Sequence, residues 1–215
     1  MTRAVQGFSE AADSDNALTF TSRRVVVPAL AAVWLGLAGT GLWVLWAYEN
    51  RPGTDATAPQ QWPGDTRLAR ADGRPTLVFL AHPRCSCTRA SLTELTEILA
   101  RATTRPKTHI VFIRPDGFER NWEKTDLWKR AMSLPGVTVT RDDAGVEAAR
   151  FGAATSGQTL LYDAAGTLLF SGGITGSRGH EGENAGELAL VNAINSGTAR
   201  ARASVFGCPL FSWTL

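Results

Sequence analysis

PTLVFLAHPRCSCTRASLTELTEILARAT, Pro75 to Thr103, changes its hydrophobic period in the middle. Residues 75–82 form a short apolar run of the kind that makes a buried strand. From Cys87 onward, Leu92, Leu95, Ile98 and Leu99 share one helical face. Cys85 and Cys87 lie at the changeover, where a strand hands over to a helix.

The elements on either side continue this alternation. THIVFIRP (108–115) reads as a second strand, NWEKTDLWKRAM (121–132) as a helix and VTVTRD (137–142) as a β-branched strand. AGVEAARFG (144–152) reads as a short helix. TLLYDAAGTLLFSGG (159–173) is a hairpin around Ala164-Ala165-Gly166, and AGELALVNAINSG (185–197) is an amphipathic helix ending at a glycine. The order β-α-β-α-β-α-β-β-α predicts an α/β domain, a mixed central sheet flanked by helices.

Upstream, Val25 to Tyr48 contains no charged residue. As a helix it spans roughly 36 Å, enough to cross a hydrocarbon core with some tilt. Trp43, Trp46 and Tyr48 gather at its C-terminal end, where amphipathic rings favour the interface. Arg23 and Arg24 precede it, so the positive-inside rule puts residues 1–24 in the cytoplasm as a short solvated tail. The apolar run is too long and begins too late for a cleaved signal peptide, and no small-residue cleavage pattern follows it. The expected organisation is therefore a tail (1–24), a transmembrane signal anchor (25–48), a Pro/Gly-rich linker (49–66), the domain (67–200) and a C-terminal tail (201–215). For a bacterial chain, this is a single-pass protein of the inner (cytoplasmic) membrane with its domain in the periplasm or on the outer face, where disulfides persist.

With 22 Lys and Arg against 20 Asp and Glu, interspersed, the chain has no basic stripe to mark a nucleic-acid partner. Three cysteines are too few for a disulfide-stapled scaffold, and the odd number leaves one unpaired within a monomer.

With its strand, its cysteine at the helix start and the closing RFGAATSGQTLLYDAAGTLLFSGG (150–173), the chain resembles the thioredoxin-like superfamily over roughly residues 67–197. Membrane-anchored TlpA-type proteins and peroxiredoxins are nearest in element order, since both add a strand and a helix like 108–132. The resemblance implies that Cys85 is the attacking thiolate, favoured by the helix N-terminus, with Arg84 and Arg89 adding positive charge. The family's second cysteine falls three residues later, at Thr88 here. Cys87 instead makes the motif CxC and is the expected resolving partner. A bond across one intervening residue is strained and easily reduced. Gln158 stands where the family carries a cis-proline. The Pro-x-x-x-Thr-x-x-Cys pattern of peroxiredoxins is absent before Cys85, which disfavours peroxidase chemistry.

The family's loop after the hairpin runs beside the active cysteine, which puts Arg178, His180 and Glu181 in reach, Arg178 to hold a thiolate and His180 to move protons. The bland alternative makes this loop a solvated helix lead-in, with Glu183 or Asn184 as N-cap. Cys208, surrounded by Val205, Phe206, Leu210 and Phe211, reads first as a buried small hydrophobe and second as a resolving thiol. His82 is a ligand or acid/base partner, or else the polar end of a strand. His109, Trp122 and Trp128 read as structural.

The sequence thus predicts a membrane-tethered thiol–disulfide oxidoreductase, with catalytic residues Cys85, Cys87, Arg178 and His180, no bound cofactor, a protein thiol or disulfide as partner and no nucleic acid. The alternatives are a thioredoxin-like copper chaperone with ligands Cys85, Cys87 and His180, and a non-catalytic interaction domain.

Overall fold

A computed structural model describes residues 6–54, 56–197 and 200–211. The chain divides into two compact units, residues 1–48 and 49–215. In the first, helix α1 runs Gln6–Glu49. Its segment Val25–Glu49 has a mean hydropathy of 1.9 and is long and apolar enough to cross a membrane. The helix begins well before Val25, so residues 6–24 of the expected short solvated tail carry helical backbone; residues 1–5 lie outside the described part. No proline interrupts the sequence before Pro28, and extending a formed helix adds one hydrogen bond per residue fixed.

The second unit holds β1 (Thr76–Ala81), α2 (Ser86–Arg101), β2 (Lys107–Arg114), α3 (Asp126–Met132), β3 (Val137–Asp143), α4 (Val146–Arg150), β4 (Gln158–Tyr162), β5 (Leu168–Gly172), α5 (Ala185–Ser196) and β6 (Ala201–Arg202). They form a six-stranded sheet in the order β3-β2-β1-β4-β5-β6. β1, β2 and β3 are parallel, β4 runs antiparallel to both β1 and β5, and β6 is parallel to β5.

β1 is buried along its whole length, which explains why TLVFLA shows no apolar–polar alternation. Leu77, Phe79 and Ala81 point to one face and pack with Leu92, Leu95 and Ile98 of α2, Leu127 of α3 and Leu190 and Ile194 of α5. Val78 and Leu80 point to the other, with Val111, Phe151, Leu160 and Tyr162.

Among the described residues, the helix that contributes to that second face is α4, which is five residues long. Segments before β1 and after β6 cover the remainder. Ala58, Leu68 and Leu210 join the core there, and Trp62 stands edge-on to Phe151 and Tyr162 with ring centroids at 5.1 and 5.3 Å. The Trp62 N–H donates to the Gly166 carbonyl, and the Tyr162 hydroxyl to the Pro59 carbonyl. Residues 49–66 are therefore not a free linker over this stretch but a strap packed on the domain. Apolar residues spaced among prolines carry no periodicity, which is why the strap reads as a linker.

The C-terminal tail is likewise structured as far as Phe211; residues 212–215 lie outside the described part. Asp142 caps α4 from a distance, its carboxylate accepting the Glu147 and Ala148 N–H groups at 2.9 Å. α3 starts at Asp126 rather than at residue 121, because Asn121 adopts a left-handed conformation (φ 71°). Asn184 is the N-cap of α5, its side chain accepting the Glu187 N–H.

Candidate functional site

Cys85 closes the turn between β1 and α2. Its N–H donates to the His82 carbonyl at 3.3 Å, and its own carbonyl accepts the Thr88 N–H at 3.1 Å, opening the helix. It is the N-cap residue with extended backbone (φ −88°, ψ 121°), so its sulfur sits at the positive end of α2. Thr125, the N-cap of α3, donates its hydroxyl to the Pro83 carbonyl at 2.8 Å and pins the turn from outside.

The three sulfurs come together here. The thiols of Cys87 and Cys208 both hydrogen-bond the Cys85 sulfur, which stands between them. The Cys208 S–H leads in holding the Cys85 thiol far below its ordinary range, and the Cys87 S–H follows. Burial opposes them, and the Cys208 and Thr88 N–H groups assist. Donating to a thiolate pushes the other two thiols up, with burial adding to it. Within the trio, negative charge is therefore favoured on Cys85, and protons on Cys87 and Cys208. Cys85 has no exposed surface, while Cys208 is half-buried.

Arg178 lies beside the pair of donors, where its charge favours the ionised forms of Cys87 and Cys208. Its guanidinium donates to the Gly207 carbonyl at 2.7 Å and to the Arg51 carbonyl at 3.3 Å, joining the segments before β1 and after β6 to the site. Arg84 and Arg89 each have another contact beside the turn. Arg89 is paired with Asp126, and Arg84 lies 5.0 Å over the Trp122 ring.

The loop that replaces the cis-proline contains no cis peptide bond. In its place, the Ser156 hydroxyl accepts the His82 N–H at 2.8 Å and pairs with the Thr88 hydroxyl at 2.8 Å. Thr88, at the position of the family's second cysteine, is thus committed to holding this loop against the helix start. Gly157 (φ +94°) turns the chain so that its N–H reaches the Leu80 carbonyl at 2.8 Å.

His82 is buried behind the turn. Its Nδ1 accepts the Arg84 N–H at 3.0 Å, so the neutral ring carries its proton on Nε2. Burial is the main cause that brings its pKa down to about 4; Arg84 also lowers it, against the raising effect of the Cys85 charge.

His180 is exposed and is not brought to the sulfurs with the others. Among the described residues, the three His, Cys, Asp or Glu donor atoms that lie mutually within 4.8 Å belong to Glu94, Glu97 and Glu187, not to Cys85, Cys87 and His180. Its neighbour Glu181 accepts the Thr93 hydroxyl at 2.9 Å. The loop after the hairpin thus delivers Arg178 and turns His180 to solvent. His109 bonds the Ala69 carbonyl through Nε2 at 2.9 Å, in keeping with a structural role.

Cys208 corrects the sequence reading. It is not a sulfur lost in an apolar corner but the leading donor to Cys85. The available signal was the odd cysteine count. Ser156 had no signal at all, because a serine in a glycine-rich loop has many uses. A cleft of about 310 Å³ is lined by Pro83, Arg84, Cys85, Ser86, Thr125 and Leu127.

No family model matches the chain, and no curated protein matches it. Two solved structures superpose with a TM-score of 0.52. One is a hypothetical protein from Sinorhizobium meliloti 1021, with 17% identity over 75% of this chain and 99% of that one. The other is an uncharacterized conserved protein from Geobacillus kaustophilus, with 15% identity over 77% and 93%. A pneumococcal exposed lipoprotein thioredoxin from Streptococcus pneumoniae strain TIGR4 superposes over 57% of this chain and 84% of its own, with 18% identity and a TM-score of 0.42. At these identities the likeness is one of fold. Strand order and direction, with the cysteine after β1, give the described part of the second unit the thioredoxin-like fold expected from its sequence.

Proposed function

We propose that the chain is a membrane-tethered, extracytoplasmic thiol–disulfide oxidoreductase with Cys85 as its nucleophile. The observation that supports this most is a sulfur at a helix N-terminus with two thiols as its donors, an arrangement that lowers the pKa of Cys85 and favours its thiolate. The thiolate attacks a partner protein's disulfide. One partner sulfur leaves and takes up a proton, and the other is held as a mixed disulfide on Cys85. A second thiol of this chain, expected from the sequence to be Cys87, loses its proton and attacks the Cys85 sulfur. The partner departs with both sulfurs reduced, and this chain keeps the two-electron oxidation as a disulfide. Arg178 favours the thiolate that the second attack requires. The tether is the span Val25–Glu49, and Arg23 and Arg24 orient it with residues 1–24 in the cytoplasm.

The test uses the full-length protein in detergent micelles, reduced and then mixed with a disulfide-linked fluorescent reporter peptide. Exchange should require Cys85 and be lost in Cys85→Ser. A Cys85→Ser protein that exchanges as fast as wild type would refute the proposal and leave the interaction-domain reading. Labelling an engineered cysteine in residues 1–24 with a membrane-impermeant maleimide tests the orientation, and labelling in intact cells would reverse it.

A further inference from the structure

The C-terminal segment lies along the site as a strand lies along a sheet edge. Thr155 and Pro209 form an antiparallel bridge. The Ser156 N–H donates to the Cys208 carbonyl, and the Leu210 N–H to the Ala154 carbonyl, both at 2.8 Å. Val205 accepts the Gly53 N–H at 2.8 Å, and Arg178 holds the Gly207 carbonyl. Leu210 is fully buried in the second-face core and anchors the end. At Gly207 a Cβ would lie 2.0 Å from the Ser156 carbonyl oxygen, so no larger residue fits this approach. The outcome is a defined strap with the Cys208 thiol set against Cys85.

Cys87 is placed differently. It sits in the first turn of α2, on the same helix start as Cys85. Its thiol reaches the Cys85 sulfur as a donor, but a bond between them would close a ring across Ser86 alone, a geometry that departs from that of a relaxed disulfide. Drawing Cys87 into a bond with Cys85 pulls on the turn whose opening hydrogen bond runs from the Thr88 N–H to the Cys85 carbonyl. Cys208 arrives from outside the helix, and bonding it leaves that turn intact.

We propose that Cys208, carried on the strap Val205–Leu210, is the thiol that resolves Cys85, and that the strap must lift to admit a partner's disulfide and return to complete the exchange. The proposal rests on the oxidoreductase reading of Cys85. The partner's disulfide is the oxidant. Cys85 attacks it, its sulfur–sulfur bond breaks, and the leaving sulfur takes up a proton. Cys208 then loses its proton to solvent and attacks the Cys85 sulfur. The mixed bond breaks, a Cys85–Cys208 bond forms, and the second partner sulfur is released to be protonated. Once Cys85 is tied in the mixed disulfide, it is no longer an anion holding the Cys208 proton, and Arg178 remains to favour the Cys208 thiolate. Cys87 then serves as a donor that steadies the Cys85 thiolate.

The test takes full-length protein in detergent, reduced and then exposed to oxidised glutathione, with samples acid-quenched over time and disulfides mapped by mass spectrometry. Wild type and Cys87→Ser should both form Cys85–Cys208, while Cys208→Ser should hold glutathione on Cys85 at least about tenfold longer, the loss expected when a positioned thiol is replaced by encounter from solution. A Cys85–Cys87 bond in wild type, with Cys208→Ser resolving at the wild-type rate, overturns the proposal and leaves the oxidoreductase reading in place. Absence of glutathione uptake on Cys85 in every variant overturns both. Gly207→Ala supplies a readout of the strap itself. It should raise the rate of Cys85 alkylation about tenfold, as expected if roughly one backbone hydrogen bond is lost. An unchanged rate would mean that the strap does not govern access.

Discussion

Replacing Cys208 by alanine removes the leading donor to the Cys85 thiolate, and its effect can be worked from the site. A hydrogen bond to a charged group is worth about 1.5–3 kcal/mol, and about 1.4 kcal/mol is one pH unit, so the loss alone raises the Cys85 midpoint by about one to two units. Removing the side chain also admits water to a sulfur that has no exposed surface, and renewed hydration of the anion returns part of this. The expected net shift is about one unit upward. Serine, whose hydroxyl also donates, should shift it less than alanine.

The assay follows iodoacetamide labelling of the Cys85 peptide against pH in the full-length reduced protein. A midpoint that stays in place or moves down in Cys208→Ala would show that Cys208 is not the donor that sustains the thiolate. The linkage follows the same sign. The folded Cys85 pKa lies below its unfolded value, so its stabilising contribution is full above the ordinary thiol range and is lost as pH falls through the folded value. Cys208→Ala should narrow that window from the acid side.

Ser156→Ala leaves the buried His82 N–H without its acceptor and the Thr88 hydroxyl without one partner, at a cost of about 2 kcal/mol, read as a lower urea midpoint at unchanged slope. Gly152→Ala places a Cβ 2.2 Å from the Thr57 carbonyl at a φ of +59°; it should peel residues 56–62 from the sheet, making them cleavable by protease while β1 remains protected. His82, held neutral by burial with a pKa of about 4 against an ordinary 6.5, stabilises the fold fully above pH 6.5, and this is lost as pH falls toward 4. The loss amounts to at most about 3 kcal/mol, so His82→Gln should flatten the acid limb of a plot of Tm against pH between those values. An acid limb as steep as in wild type would place the titration elsewhere, with His109 the next group to replace.

The sequence alone determined the order of elements in the domain, because each declares itself within a dozen residues. TLVFLA and TLLY are apolar runs buried along their length, ASLTELTEIL is a one-faced helix, and Ala164-Ala165-Gly166 is a turn between two apolar runs. The place of Cys85 at a helix start followed from the same local change of period, as did the apolar span Val25–Tyr48. Tertiary structure alone decided what surrounds the sulfur. Cys208 is more than a hundred residues away along the chain, and nothing local shows that Leu210, buried among strand residues, drags it there. Ser156 ties its loop to the helix start only because Thr88 and His82 face it. Arg178 and His180 are two residues apart, yet one grips the strap and the other meets solvent. Local pattern records which way a residue faces within its own element. What that face meets depends on contacts between distant segments, and these are set by the packing of the whole domain.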